Sequence, residues 1–412
     1  MARTRSAPSN SGLIRAIEQR ENAMMNEKNA LDHLMGLLAI PGLSGREKNV
    51  SMDIQRRLKA VGVKPSWMMI DQANKKIPGD FETGNLIVKL PGTIKGPRVL
   101  FSSHMDTVPL TRGAVPTIKG KRIVPKGPTA LGGDNRTAVA CLVTLAETLL
   151  TKNIPHPPIT LLFTVGEEIG LWGARFVKPK DLGNPVMGFN YDSGDPALIE
   201  IGAIGAHRWD VSIQGVASHA GVHPEHGVSA ILIASQAIAE IKAKGYFGKI
   251  RIKGKKGTSN VGVIQGGEAT NEVTGKLFLK GESRSHDPEF LEEITGTIEA
   301  CFHRAASRVK NHKKVTGKIT WHCEKDYHAF KIDRNEPCVK IACKAAKTIG
   351  YKPRCAVIDG GLDANYLNAH GIPTVTLGAG QHNPHTLDEY VDLKEYYDGC
   401  RLALEVCKEL VG

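Results

Sequence analysis

His104-Met105-Asp106-Thr107-Val108-Pro109 follows the apolar run Pro97-Arg98-Val99-Leu100-Phe101, and together they read as a buried strand ending in a histidine and a carboxylate two residues apart. Alternation along a strand sends both side chains out on the same face. A histidine with an acid placed to hold its second ring nitrogen is the usual equipment of a metal ligand. Outward from this stretch, short β-rich runs alternate with helical ones. Residues 84–90 and 98–101 are predicted strands, 137–150 a helix, 159–165 a strand, 173–176 the start of another helix and 186–190 the next strand. Upstream, helical spacing runs from Ala30 through Leu38. Pro41-Gly42-Leu43-Ser44-Gly45 then makes a turn in which Ser44 is placed to cap a second helix over 47–61. Such alternation predicts an α/β fold with mostly parallel central strands and helices on both sheet faces.

The texture changes near Gly205. Residues 207–325 read as strand, helix, three strands, helix and strand, a compact α+β module with an antiparallel sheet. The α/β alternation then resumes and ends in a helix over 394–410. The expected organisation is a flexible N-terminal extension (1–28), a catalytic domain in two parts (29–205 and 327–412) and an inserted α+β domain (206–326).

The chain has 412 residues, 41% hydrophobic and 23% charged, which describes a globular protein. Its formal charge of +12 raises the question of nucleic acid, but aromatic residues make up 5% and no nucleic-acid motif accompanies the basic clusters. A solvated basic surface is expected instead, with neither a nucleic-acid nor a membrane partner. Eight cysteines form no C-x-x-C pair, and no apolar run reaches the length of a membrane span. The expected location is the cytoplasm.

Four further stretches carry chemistry. Gly127 to Arg136 is a glycine-rich loop presenting Asp134 at a helix start, and Glu167-Glu168 is a carboxylate pair beyond an apolar strand. Asp192 lies just past another strand, and His385-Thr386-Leu387-Asp388-Glu389 precedes the final helix. Strand C-termini gather on one edge of an open α/β sheet, so His104, Asp134, Glu167, Glu168, Asp192 and His385 can converge there. Buried carboxylates in such number need compensating cations. Two divalent ions more than balance Asp134, Asp192 and Glu168, and leave one positive charge for a hydroxide or an oxyanion. Imidazole and carboxylate together suit zinc, with manganese or cobalt as replacements.

With H-x-D-T-x-P, G-x-x-x-L-G-G-D, the Glu-Glu pair followed by Gly170-Leu171-Trp172-Gly173-Ala174, and H-x-x-x-E near the end, the chain resembles a family of co-catalytic zinc exopeptidases and deacylases. That family contains tripeptidase T, carboxypeptidase G, aminoacylase and succinyl-diaminopimelate desuccinylase. The resemblance runs from about Leu34 to Leu410. It implies that Asp134 bridges two metals, with His104 and Asp192 completing one site and Glu168 and His385 the other. It implies Glu167 as the general base for a metal-bridging water, Asp106 as the residue orienting His104, and a cis peptide at Asp134–Asn135. His382 competes with His385, but the four-residue step from His385 to Glu389 fits the family. Ser218-His219-Ala220-Gly221 resembles the lid loop whose histidine reaches the other subunit's active site, which implies a homodimer formed through the inserted lid domain. Segments around Asn260 and Arg284 resemble those that contact the substrate carboxylate.

The expected activity is metal-dependent hydrolysis of short peptides with release of the N-terminal residue. A carboxypeptidase or a deacylase of N-acyl amino acids is the alternative on the same scaffold. From another class, the alternative is a catalytically silent metal-binding scaffold, against which the intact Glu167 argues.

Overall fold

The computed structural model describes residues 25–411, so residues 1–24 of the expected extension lie outside it. Lys28 and Glu27, also assigned to that extension, belong instead to the first described helix, Glu27–Leu38, which Asn26 caps by accepting the Asn29 N–H. The chain divides into two compact units.

The first unit comprises the described residues up to Ile201, then Ile332–Ala356 and Leu362 onward. Its main sheet contains β1 (Met68–Ile70), β2 (Leu86–Leu90), β3 (Val99–His104), β4 (Ile159–Thr164), β5 (Met187–Ser193), β6 (Leu198–Ala203) and β7 (Thr374–Gly378). They stand in the order β1-β2-β4-β3-β5-β7-β6. The central strands β4, β3, β5 and β7 are mutually parallel, while β1, β2 and β6 are antiparallel to their neighbours. Every residue of β3 and β4 is buried, as covered parallel strands require.

Helix Gly133–Thr151 is apolar along most of its length, with Ala138 to Ala146 buried throughout, so it packs as a core helix. The final helix, Leu393–Glu409, is amphipathic and is capped by Asp392, which accepts the N–H groups of Lys394 and Glu395. One local expectation fails. Ser44 does not cap the second helix, Lys48–Ala60; its hydroxyl donates to Asp106 Oδ2 at 2.6 Å. The helix expected to start at 173–176 does so, as a five-residue piece, Trp172–Phe176, ended just before Lys178-Pro179.

The second unit comprises Gly202–Lys331 and Val357–Gly361. It therefore begins before residue 206, ends after residue 326 and takes in five residues from further along the chain. Its antiparallel sheet has the order Gly248–Ile252, Lys255–Gln265, Lys276–Ser285, Gly205–Gln214, Lys318–Tyr327. Helices Ala230–Ala243 and Pro288–Arg308 bury Ile233, Ala237, Phe290 and Phe302 in one core with Trp209 and Leu279 of the sheet. Among the described residues no helix is long and apolar enough to cross a membrane.

One buried group of the first unit makes stability depend on pH. Glu200 on β6 is 5% exposed and its Oε2 has no hydrogen-bond partner. Burial holds its carboxyl up at about 7, against the opposing hydrogen bond from Ser193. A carboxyl raised in the folded state contributes stability below its unfolded value, and that contribution is lost as pH rises through the folded value. Glu200→Gln should therefore leave the Tm nearly unchanged at about pH 5 and raise it by a few degrees at about pH 8. Thermal unfolding at the two pH values checks this.

Candidate metal centre

The four parallel strands deliver their C-terminal ends to one edge, and the chemistry gathers there. His104 is the last residue of β3, Glu167 follows β4 by three residues, Asp192 lies in β5, and His385 lies beyond β7. Asp192 sits within its strand, not past its end as expected. Tyr191 pairs with Leu377 and Ser193 with Gly378, so Asp192 is the extra residue of a bulge. A bulge re-aims a side chain at a strand end.

Asp134 is placed by a turn and a helix start. Gly132 has φ +81°, a left-handed conformation that favours glycine, and the Asp134–Asn135 peptide is cis, as the resemblance implies. The carboxylate of Asp134 faces two imidazoles. Its Oδ1 is 3.1 Å from His104 Nε2 and its Oδ2 is 3.5 Å from His385 Nε2. Each imidazole meets one more acid: His104 Nε2 is 3.4 Å from Asp192 Oδ1, and His385 Nε2 is 2.8 Å from Glu168 Oε2. A shared carboxylate thus stands between two histidine–carboxylate pairs. His382 is engaged elsewhere, paired with Glu395 and stacked on Tyr390 at 4.8 Å. His385 therefore is the histidine that faces the cluster.

Buried carboxylates hold these loops in place. Asp106 Oδ1 and Oδ2 accept the N–H groups of Glu167 and Glu168 at 3.0 and 3.1 Å. Glu47 Oε1 accepts Gly166 N–H at 3.0 Å. The Asp106 backbone carbonyl lies 3.1 Å from His104 Nδ1, which therefore donates to it and leaves Nε2 facing Asp134 and Asp192. Glu389 accepts N–H groups from Leu131 at 2.7 Å, Gly132 at 2.8 Å and Asp134 at 3.0 Å, and so fixes the loop that carries Asp134. Glutamine at 389 can accept through one oxygen only, so Glu389→Gln should lower metal affinity about 10–100-fold, measured by competition with a chelating dye. The sequence reading gave Glu47 no role, Ser44 only that of a helix cap and Glu389 only that of a motif position. The spacing from His385 to Glu389 was the available signal for the last of them.

The charges explain what the site can hold. Burial pushes Glu167 and Asp192 well above the usual carboxylate range, with neighbouring acids adding to the effect. Burial likewise puts Glu168 at about 7 and Asp363 at about 6. Asp134 ends below the usual range, because hydrogen bonds from His104 and His385 outweigh its own burial. His385 is raised to about 10 by its bonds to Asp134 and Glu168. Without a cation the cluster holds protons, and a cation displaces them. Glu168 Oε1 is buried without a hydrogen-bond partner, a lone pair left for such an ion. Ligand atoms of His104, Asp134 and Glu168 all lie within 4.8 Å of one another. The residues present fit divalent metal.

The remaining sequence-selected residues lie in the second unit. His219 pairs with Glu272 in a two-stranded ribbon and is exposed. Its Nδ1 accepts the N–H groups of Gly221 and Val222 at 3.2 and 3.1 Å, so the neutral ring carries its proton on Nε2. Arg284 lays its guanidinium fork on Glu282, both contacts at 3.0 Å. Asn260 is exposed, and its Cα partner across the sheet is Glu282.

Such an α/β sheet, with imidazoles and carboxylates interleaved at the C-terminal edge of its parallel strands, defines a metal-dependent hydrolase. Residues 100–409 match the model of Peptidase family M20/M25/M40. Over 387 residues the chain is 32% identical to Uncharacterized protein YqjE of Bacillus subtilis (strain 168), covering 94% of this chain and 99% of that one. The crystal structure of aminopeptidase PepT from Bacillus cereus superposes with a TM-score of 0.81 at 32% identity, over 94% of this chain and 100% of that one. A tripeptidase from Staphylococcus aureus gives 0.84 at 31% identity, over 94% and 99%. The chain belongs to peptidase family M20/M25/M40 and is a metallopeptidase.

Proposed function

We propose that this protein is a dinuclear aminopeptidase that releases the N-terminal residue from short peptides, tripeptides foremost. The carrying observation is Asp134 standing between His104 and His385, each imidazole paired with one further carboxylate. In this reading His104 and Asp192 would hold one ion, Glu168 and His385 the other, and Asp134 would serve both. Zinc fits the donor set, with manganese or cobalt as substitutes. Bound metal supplies a Lewis acid for the scissile carbonyl and acidifies the attacking water.

Glu167 is the base in this reading: it is 9% exposed, its backbone is pinned by Asp106, and burial raises its carboxyl's hold on a proton. It accepts the proton of the attacking water and returns it to the leaving amine. Asp106 orients the Glu167–Glu168 turn and, through its carbonyl, the ring of His104. The outward Nε2–H of His219 is a donor suited to a developing oxyanion, supplied by a second copy of the chain in a homodimer. Arg284 and Asn260 present the donors that suit a peptide carboxylate. Eight free cysteines suit a reducing cytoplasm.

The Bacillus cereus protein is described as an aminopeptidase, which supports an N-terminal over a C-terminal cut, and the Staphylococcus aureus protein as a tripeptidase, which supports tripeptides as substrates. The test is a panel of dipeptides, tripeptides and N-acyl amino acids, with and without chelator. Chelator-sensitive release of the N-terminal residue, fastest on tripeptides, is the expected result. Release of the C-terminal residue, or cleavage of acyl amino acids alone, overturns the reading.

A further inference from the structure

A second group of metal-ligating side chains lies in the second unit, outside the site described above. Within His223-Pro224-Glu225-His226, the ligand atoms of the two histidines and the glutamate all lie within 4.8 Å of one another. Both imidazoles converge on the same oxygen: Glu225 Oε1 is 3.2 Å from His223 Nδ1 and 3.5 Å from His226 Nε2. Tetrahedral zinc with bonds of about 2.0–2.2 Å sets neighbouring ligand atoms about 3.3–3.5 Å apart. Both histidine–glutamate contacts already have nearly that spacing, and the two ring nitrogens lie within 4.8 Å of each other. All three side chains are about half exposed, so a fourth position is open to water.

The backbone beneath them is braced. Residues Pro224–His226 form a 3-10 turn, closed by hydrogen bonds from His226 N to His223 O and from Gly227 N to Pro224 O, each 3.1 Å. A second segment grips the turn from outside. The backbone N–H and ring Nδ1 of His312 both donate to Glu225 O, at 2.9 and 3.1 Å, and Asn311 Nδ2 donates to His226 O at 3.0 Å. The rings of His223 and His226 stack at 4.7 Å, and the ring of His312 lies 4.3 Å from that of His226. The fixed backbone reduces the ordering that a bound ion must impose, while the rings must turn out of their stack so that both in-plane lone pairs meet the ion.

We infer that His223, Glu225 and His226 form an accessory site for one divalent transition metal of the zinc class, separate from the catalytic centre. Two imidazoles and one carboxylate favour zinc, nickel or copper over magnesium or calcium. The site is contiguous with the loop bearing His219: His223 N donates to His219 O at 3.0 Å, and Ser218 Oγ donates to His223 O. An ion held at residues 223–226 ties that loop to the turn and, through His312 and Asn311, to the neighbouring segment. It thereby slows local opening of residues 219–226.

The test uses the full chain and zinc alone, with binding followed by equilibrium dialysis and hydrogen exchange followed in the same samples. The unaltered protein is expected to bind one more zinc ion than the double variant His223→Gln/His226→Gln. Glu225→Gln should weaken that ion at least about tenfold. Zinc should slow exchange across residues 219–226 in the unaltered protein and not in the double variant. The substituted side chains are exposed, so the variants should keep the parent's unfolding temperature without metal. Equal zinc number and affinity in all three proteins, or equal protection of the loop in the double variant, overturns the inference. The result does not depend on whether the catalytic centre is an aminopeptidase, because the readouts are binding and exchange rather than turnover.

Discussion

Glu167→Gln should lower kcat on a tripeptide about 10²–10⁴-fold while leaving metal content and unfolding temperature close to those of the parent. Glutamine keeps the shape of the side chain and cannot accept the proton of the attacking water. The fold should tolerate the change, because the residue is held through its backbone N–H, which donates to Asp106 Oδ1. Metal should be retained, since the ion pairs of Asp134, His104 and His385 run to one another, to Asp192 and to Glu168, and not to Glu167. Removing a buried acid that its neighbours push upward also relieves repulsion within the cluster. Parallel measurements of turnover, bound metal and thermal unfolding separate this outcome from a structural defect. If kcat and metal content fall together, Glu167 is a ligand and the assignment of the base is wrong.

Metal removal should have the second large effect. Chelation is expected to cut turnover at least about a thousandfold, equivalent to several kcal/mol of transition-state stabilisation, and re-addition of zinc should restore it. It should also lower the unfolding temperature, because Glu167, Glu168, Asp192 and Asp363 are then buried together without cations. Asp134→Asn should mimic chelation more closely than a change at any other position of the centre. Asp134 meets both histidines, so loss of its charge weakens both halves. His385→Ala should spare the His104 half. Metal analysis of the two variants distinguishes a shared carboxylate from one that belongs to a single ion. Equal loss of both ions in each variant contradicts the bridging arrangement.

Much of the centre was legible because its side chains occupy strand ends and helix starts, where local patterning marks them. His104 could be placed from the apolar run before it, and Asp134 from the glycine-rich loop ahead of a helix. Asp192 was read as lying beyond its strand, because a bulge depends on the partner strand Thr374–Gly378, which lies far along the chain. Ser44 looked like a helix cap, since serine before a helical run ordinarily caps it. Asp106 competes successfully for that hydroxyl from 62 positions away. The helix start near Gly173 was legible but its early end was not: helical spacing says where a helix starts more reliably than where its neighbours allow it to end.

Side-chain identity and spacing alone determined the alternating α/β architecture, the antiparallel module within it and the set of histidines and acids available to hold metal. The tertiary structure decided how those residues are presented. It sets Asp134 between His104 and His385, and turns His382 away toward Glu395. It also gives Glu389, Glu47 and Asp106 the task of holding backbone N–H groups on the loops of the centre. Every residue except proline carries such an N–H, so its partner leaves no mark in the local sequence. Glu389 meets Asp134 across 255 positions of chain, a pairing that exists only once the sheet has brought its strand ends together.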